Sequence, residues 1–310
     1  MNKFSSAQVH TAPSLAGRAG GESAVIKVGG AVVEDPEQLA ILLDEFVKIE
    51  GPKVLVHGGG RSATKLAAQL GIESQMVGGR RITDEKMLRV VTMVYGGLVN
   101  KNIVAQLQAR GINALGLTGA DLNLIRAHRR PITPEGIDFG FVGDVDSADG
   151  AHLQQLLQMG ITPVIAPLTH DGQGNMLNIN ADTMAQTVAV ALANSDSPPA
   201  QGAITLEDRG MQSSEHSAPS LTRSAGGESK SSLTFCFELP GVMRDPSDPS
   251  TLIPHLTEPE FHALVADGTI AGGMIPKLEN AFAALRAGVT SVRITNISNL
   301  QGGTVISNEK

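Results

Sequence analysis

The sequence predicts an α/β fold: a three-layer sandwich whose mainly parallel central sheet is covered by helices on both faces. Three observations predict it. Short apolar runs such as AVIKVGG (24–30) and KVLVH (53–57) are bounded by glycines, the pattern of buried strands. Each is followed by apolar residues at helical spacing. The two patterns alternate through most of the chain, which points to parallel strands joined by crossover helices.

Taken in order, residues 24–30 give the first strand. Residues 36–50 give a helix, with Asp35 placed to cap it and Pro36 in its first turn. The second strand, 53–57, runs into Gly58-Gly59-Gly60, and 61–70 is a helix ended by Gly71. A polar piece containing Gly78-Gly79 precedes one long helix over 84–110, ended by Gly111. Residues 113–117 are a strand, and 122–143, with Pro131, Pro134 and several glycines, reads as hairpin and loop. Helix 151–159, strand 161–166 and helix 180–194 follow. Beyond a break come strand 233–238, helix 258–267, a glycine-led helix over 272–287 and strand 291–295. Ligands on such sheets gather at the carboxyl ends of the strands.

Two stretches stand outside this pattern. Residues 1–23 and 195–232 are rich in Ser, Ala and Gly without periodicity, so they read as a disordered extension and a low-complexity insertion. They are related: HTAPSLAGRAGGES (10–23) and HSAPSLTRSAGGES (216–229) agree at ten of fourteen positions. Either a linker element has been duplicated, or both copies are recognition segments for a partner. The 249 residues that remain suit one large α/β unit.

Composition excludes several classes. A 41% hydrophobic chain is not wholly disordered, and one cysteine among 310 residues forms no internal disulfide or cysteine zinc cluster. That usage points to a reducing, cytoplasmic compartment. The net charge of −7 argues against a nucleic-acid partner. No run reaches membrane-spanning length, and the N-terminus has no apolar core of a signal peptide.

Several residues carry chemistry. Lys27 stands inside an apolar strand with no acidic neighbour in sequence. Such a charge is paired or liganded, unless it snorkels from the strand end. Gly29-Gly30 and Gly58-Gly59-Gly60 either form tight turns or open the backbone N–H groups to an anion. In Gly79-Arg80-Arg81-Ile82-Thr83 the guanidinium groups suit carboxylate or phosphate, or lie on the surface. In Asn178-Ile179-Asn180-Ala181-Asp182, helix capping explains Asn180 and part of Asp182 but not Asn178. Lys277, opening a helix after Gly272-Gly273, opposes the helix dipole unless an anion binds there. His170 and Asp171 read as loop residues and Cys236 as a small buried hydrophobe. The P-loop, dinucleotide-binding and G-x-S-x-G patterns are all absent.

Five strings in order, IKVGG (26–30), VHGGG (56–60), GRRIT (79–83), NINAD (178–182) and GGMIPK (272–277), resemble the amino-acid kinase family. The resemblance covers about 24–306, interrupted at 195–232, and lies with the branch that acts on N-acylated glutamate. It implies an acyl-glutamate-binding lobe (24–170), an ATP-binding lobe (171–310), and Mg²⁺-ATP as phosphoryl donor to a side-chain carboxylate in arginine biosynthesis. It implies that Lys27 and Lys277 neutralise the phosphoryl group and that Asp182 holds them. Gly58 and Gly59 are the implied backbone donors to the acyl-glutamate, Arg81 and Asn178 its carboxylate anchors, and Gly29, Gly30 and Gly273 the phosphate-facing glycines. No protein metal ligands are implied. A carboxylate nucleophile is already deprotonated at neutral pH, which agrees with the lack of a recognisable general base. Two departures stand out. Phe237-Glu238-Leu239-Pro240-Gly241 replaces the family's Ser/Thr-Asp near the nucleotide, and residues 1–23 lack the amphipathic period of the hexamer-forming helix. The expectation is a homodimer without arginine feedback; a non-catalytic metabolite sensor on the same fold is the alternative reading.

Overall fold

The computed structural model describes residues 21–195, 230–272 and 274–308. The first half of the chain comprises β1 (Ser23–Val28), α1 (Gly30–Glu34), α2 (Pro36–Lys48), β2 (Lys53–His57), α3 (Gly60–Gln69), β3 (Met76–Val77), β4 (Arg80–Arg81), α4 (Glu85–Val91), α5 (Asn100–Ala109), β5 (Ala114–Leu117), β6 (Ile125–Arg129), β7 (Gly143–Ala148) and α6 (Gly150–Gln158). The second comprises β8 (Thr162–Ile165), β9 (Leu168–His170), β10 (Met176–Asn178), α7 (Ala181–Ala193), β11 (Ser231–Phe237), β12 (His255–Leu256), α8 (Glu258–Ala266), α9 (Met274–Arg286), β13 (Ser291–Asn296) and β14 (Thr304–Ile306).

The central sheet has eight strands in the order β12-β14-β13-β11-β1-β2-β8-β5. Every neighbouring pair is parallel except β13 with β14. In β1 and β2, Val25, Val54 and Val56 pack into one core with α6, α7, α8 and α9. Ile26, Val28 and Leu55 pack into a second core with α2, α3, α4 and α5. Burial on both faces is why these strands read as continuous apolar runs. By the two-residue period, Lys27 falls on the Val25 side, facing α7. A four-stranded sheet, β10-β9-β6-β7, and the β3–β4 ribbon lie outside the central one. Both expected lobes contribute strands to the same central sheet.

The three-layer expectation holds, with corrections in detail. The single helix expected over 84–110 widens to π geometry at Thr92–Val99, between α4 and α5. Gly96 and Gly97 lie in that stretch, where no Cβ pins the turns to ordinary spacing. The expected boundaries at 23 and 232 cut into strands, because Ser23 pairs with Ser231 and Ala24 with Ser232. Ser231 is fully buried and its hydroxyl donates to the Ala189 carbonyl at 2.7 Å, so a serine here is a strand residue rather than linker. The remaining expectations for 1–20 and 196–229, including the repeated strings and the missing N-terminal helix, lie outside the described residues. Among the described residues no helix is long and apolar enough to cross a membrane.

Candidate active site

The carboxyl ends of β1, β2 and β11 lie side by side, and the turns that follow β1 and β2 are glycine-rich. Lys27 is the last residue but one of β1, with only 7% of its surface exposed. Across from it, Asn180 caps α7, its side chain accepting from the amides of Asp182 (2.7 Å) and Thr183 (3.3 Å). The cap sets the first turn of α7 so that Asp182 Oδ1 lies 2.6 Å from Lys27 Nζ. Lys277, in the first turn of α9, completes the cluster.

Phe237, at the end of β11, lies beneath both ammonium groups. Its ring centroid is 3.8 Å from Lys277 Nζ and 5.1 Å from Lys27 Nζ. Two like charges are thus held together by one carboxylate and the negative face of one ring. Burial lowers the pKa of Lys277 below the ordinary 10.5; Asp182 pulls it back up, Lys27 pushes it down, and Glu238 raises it. The FELPG string, a departure in sequence, therefore supplies the floor of the cluster. Next to Phe237, burial pushes the Cys236 thiol up to about 12 against the pull of Lys27, so it is an inert thiol.

Beside the cluster is a pocket of about 180 Å³ lined by Gly58, Gly59, Gly60, Arg81, Tyr95 and Asn178, and by Asn180 and Ala181 at the start of α7. Arg81 is buried. Its Nη2 donates to the Gly60 carbonyl and to Thr64 Oγ1, both at 2.9 Å, and its Nη1 to the Ser74 hydroxyl. Asn178 is buried too, its Nδ2 donating to Thr83 Oγ1 at 3.1 Å. Tyr95, set by the π-helical stretch, closes the wall, and burial raises its phenol pKa against the pull of Arg81. Arg80 also lines the pocket, half-buried, its pKa lowered by burial and by Arg130, with Asp144 opposing.

The glycines are needed for close approach. A Cβ on Gly58 would sit 3.0 Å from the Gly30 nitrogen, and one on Gly30 would sit 3.3 Å from the nitrogens of Gly59 and Gly60. A Cβ on Gly59 would sit 2.8 Å from Tyr95 Cδ1. Above Gly29 a Cβ would meet nothing within 4 Å, so protein packing does not demand glycine there. One expectation is corrected. The N–H of Gly58 is taken by the Val28 carbonyl at 3.0 Å, because β2 continues its ladder one residue into the turn. Gly58 is therefore no free donor, whereas the Gly59 N–H has no partner among the described residues.

The structure brings Lys27, Asp182 and Lys277 into one cluster, sets Gly59, Arg81 and Asn178 around one pocket, and packs Gly30 against the turn at Gly59 and Gly60. Gly273 lies outside the described residues. Tyr95 and Phe237 were missed: each reads as an apolar core residue, and only the departure at 237–241 hinted at the second. Asp171 serves a loop, as expected, accepting from the amides of Gln173 and Asn175; His170 is instead the last residue of β9, paired with Met176, and only its Nδ1 turns to the loop, accepting from the Gly172 amide. Among the described residues no three His, Cys, Asp or Glu side chains converge on a metal position.

Comparisons with known proteins bear on this site. A profile of the amino acid kinase family matches residues 22–196 and 201–296. The acetylglutamate kinase of Bacteroides thetaiotaomicron is 55% identical over 277 residues, covering 89% of this chain and 94% of that protein. The acetylglutamate kinase of Bacteroides fragilis is 54% identical over 284 residues, 91% of this chain and 95% of that one. Among solved structures, an N-acetylglutamate synthase from Neisseria gonorrhoeae, complexed with coenzyme A and N-acetyl-glutamate, matches with a TM-score of 0.69 at 23% identity, over 93% of this chain and 60% of that one. Carbamate kinase from Giardia lamblia bound to AMP-PNP matches with a TM-score of 0.59 at 15% identity, over 93% and 99%. Both structural likenesses speak to the fold.

Proposed function

The chain belongs to the amino acid kinase family, and from that premise we propose that it is an N-acetylglutamate kinase acting in arginine biosynthesis. It transfers the γ-phosphoryl group of ATP to the side-chain carboxylate of N-acetylglutamate, giving an acyl phosphate and ADP. The observation that carries this reading is the Lys27–Asp182–Lys277 cluster over Phe237, adjoining a pocket that holds Arg81 and Asn178.

The acyl-glutamate sits in this pocket, lined mostly by the 24–170 lobe, with Asn178 and the start of α7 contributed by the 171–310 lobe. Arg81 and Asn178 take its α-carboxylate, the planar guanidinium suiting that group. The side-chain carboxylate points past the glycine turns toward Lys27. It is ionised at neutral pH and needs no base, so the chain's work is positioning and charge stabilisation. Gly59 offers its free N–H, and Gly58 permits the approach of the two turns. Gly29 and Gly30, in the turn after β1, face the phosphates. Lys27 and Lys277 approach the transferring group from one side, where charge accumulates in the transition state. Asp182 holds both ammonium groups and keeps Lys277 protonated against burial. Mg²⁺, carried on the nucleotide by phosphate oxygens and water, neutralises phosphate charge when bound. We place the enzyme in the cytoplasm as a homodimer.

A hydroxamate assay with ATP and Mg²⁺ traps acyl phosphates directly. Run with N-acetylglutamate, N-succinylglutamate, glutamate and aspartate, it should give signal only with an N-acylated glutamate. ATP binding with no signal from any of the four would mark a metabolite sensor instead.

A further inference from the structure

His57 ends β2 and is fully buried. Its Nδ1 donates to the Gly58 carbonyl at 2.7 Å, and its Nε2 accepts from Asn100 Nδ2 at 3.1 Å. The same Nδ2 donates to the Val164 carbonyl of β8 at 2.9 Å, while Asn100 Oδ1 accepts from Lys101 Nζ at 3.2 Å. Asn100 is 1% exposed, so the imidazole is clamped between a rigid strand and the start of α5. Burial pushes the ring down to about 4, so it stays neutral with its proton on Nδ1 through the working pH range.

The bond to Gly58 has a consequence one atom further on. The Gly58 carbonyl and the Gly59 N–H belong to one planar trans peptide, whose C=O and N–H point in opposite directions. Fixing the carbonyl toward the buried ring fixes the N–H away from it. That N–H is the one without a partner among the described residues, on a residue lining the pocket. A three-glycine turn has little conformational preference of its own and cannot hold the peptide plane unaided. On the kinase reading above, we propose that His57 is a positioning residue: by gripping the Gly58 carbonyl it aims the Gly59 N–H at the side-chain carboxylate of the acyl-glutamate.

The test uses full-length protein with His57→Asn, His57→Gln and His57→Leu in the hydroxamate assay, alongside thermal melts. Asn places an amide donor where Nδ1 was; Gln reaches Asn100 but leaves the Gly58 carbonyl unbonded; Leu removes both bonds. Loss or misdirection of one such donor predicts a kcat about 10- to 100-fold lower for the Gln and Leu variants, with KM for ATP unchanged. His57→Asn should stay within about 5-fold of wild type, the rescue expected if only the Nδ1 bond matters. Nitrogen NMR of labelled imidazole should find the proton on Nδ1 between pH 6 and 8. Wild-type kcat in a folded Gln or Leu variant, an Asn variant as impaired as the Leu variant at equal melting temperature, or a proton on Nε2 would overturn the proposal. If only His57→Leu fails to fold, the Gln and Asn pair decides. A silent wild type would refute the kinase reading instead, and the tautomer would still be measurable.

Discussion

Replacing Lys27 by Met removes the ammonium group while keeping most of the apolar stem. The charge sits 2.6 Å from Asp182 Oδ1 and is 7% exposed, so solvent cannot stand in for it. If it neutralises the transferring phosphoryl group, kcat falls by on the order of 10²–10³, or about 2.7–4 kcal/mol of transition-state stabilisation. KM for N-acetylglutamate moves little, within about 3-fold, because Lys27 is bonded to Asp182 rather than to the wall of the pocket. Stability also falls. Breaking a fully buried ion pair costs ~3–5 kcal/mol. The Asp182 side chain is 21% exposed and still faces Lys277, so about 1–3 kcal/mol is expected, a few degrees to about 10 °C in the melt. Initial rates in the hydroxamate assay, at saturating ATP and at a temperature well below the variant's melt, separate the two effects. An unchanged kcat, or a raised KM with kcat preserved, would refute the role.

Arg81→Lys should raise KM for the acyl-glutamate by about 10- to 100-fold with a smaller effect on kcat, since an ammonium cannot reach Gly60, Thr64 and Ser74 together; steady-state kinetics checks this. Gly58→Ala should cost about 1–3 kcal/mol and most of the activity, because its Cβ meets the Gly30 backbone rather than a side chain that can swing away; a melt and a rate measure both. The alkaline limb of the kcat profile should fall below the ordinary lysine range, because Lys277 loses its proton earlier than an exposed lysine. The stability term from Lys277 has the opposite sign. Its burial penalty is present below its folded pKa and relieved as pH rises through it toward 10.5, where the unfolded chain binds more protons. For His57 the unfolded chain takes a proton between pH 6.5 and about 4 while the folded chain does not, so stability is lost as pH drops through that window, by on the order of 3 kcal/mol, and His57→Asn should abolish that slope in denaturant titrations. Excising 196–229 and closing with a short glycine linker should leave melt and rates within error of wild type, whereas an excision carried to 232 should give insoluble protein by removing the paired Ser231 and Ser232.

What could be read from the sequence was what violates a simple expectation. Lys27 was conspicuous because an apolar strand has no use for a charge, and Asn178 because capping did not account for it. The main strands were legible because both faces are buried. The two- and three-residue strands β3, β4, β9, β10, β12 and β14 were not, since so short a segment carries no period. The π-helical stretch was hidden inside an unbroken apolar pattern, and with it the reason that Tyr95 reaches the pocket. His57 was not legible because its partner Asn100 lies 43 residues away in sequence and only the folded chain brings the two together. Phe237 was noticed only as a departure, because cation–π contact depends on where Lys277 arrives from a distant helix.

The pairing of Ser23 with Ser231 reaches beyond strand boundaries. Residues 21–22 and 230 enter the sheet side by side, with the Ser23 amide donating to the Lys230 carbonyl at 2.9 Å. Ahead of residue 196 the chain is fastened where α7 stops, Asn194 Nδ2 donating to the Ala287 carbonyl at 3.0 Å. From Ser231 to the lysines' ring at Phe237 the strand runs roughly 20 Å. The chain thus possesses a ready-made splice point at the amino-terminal rim of its sheet. A reporter or a whole domain grafted there would hang from anchored ends on the rim opposite the chemistry, so cargo could be carried at this position while catalysis proceeds undisturbed.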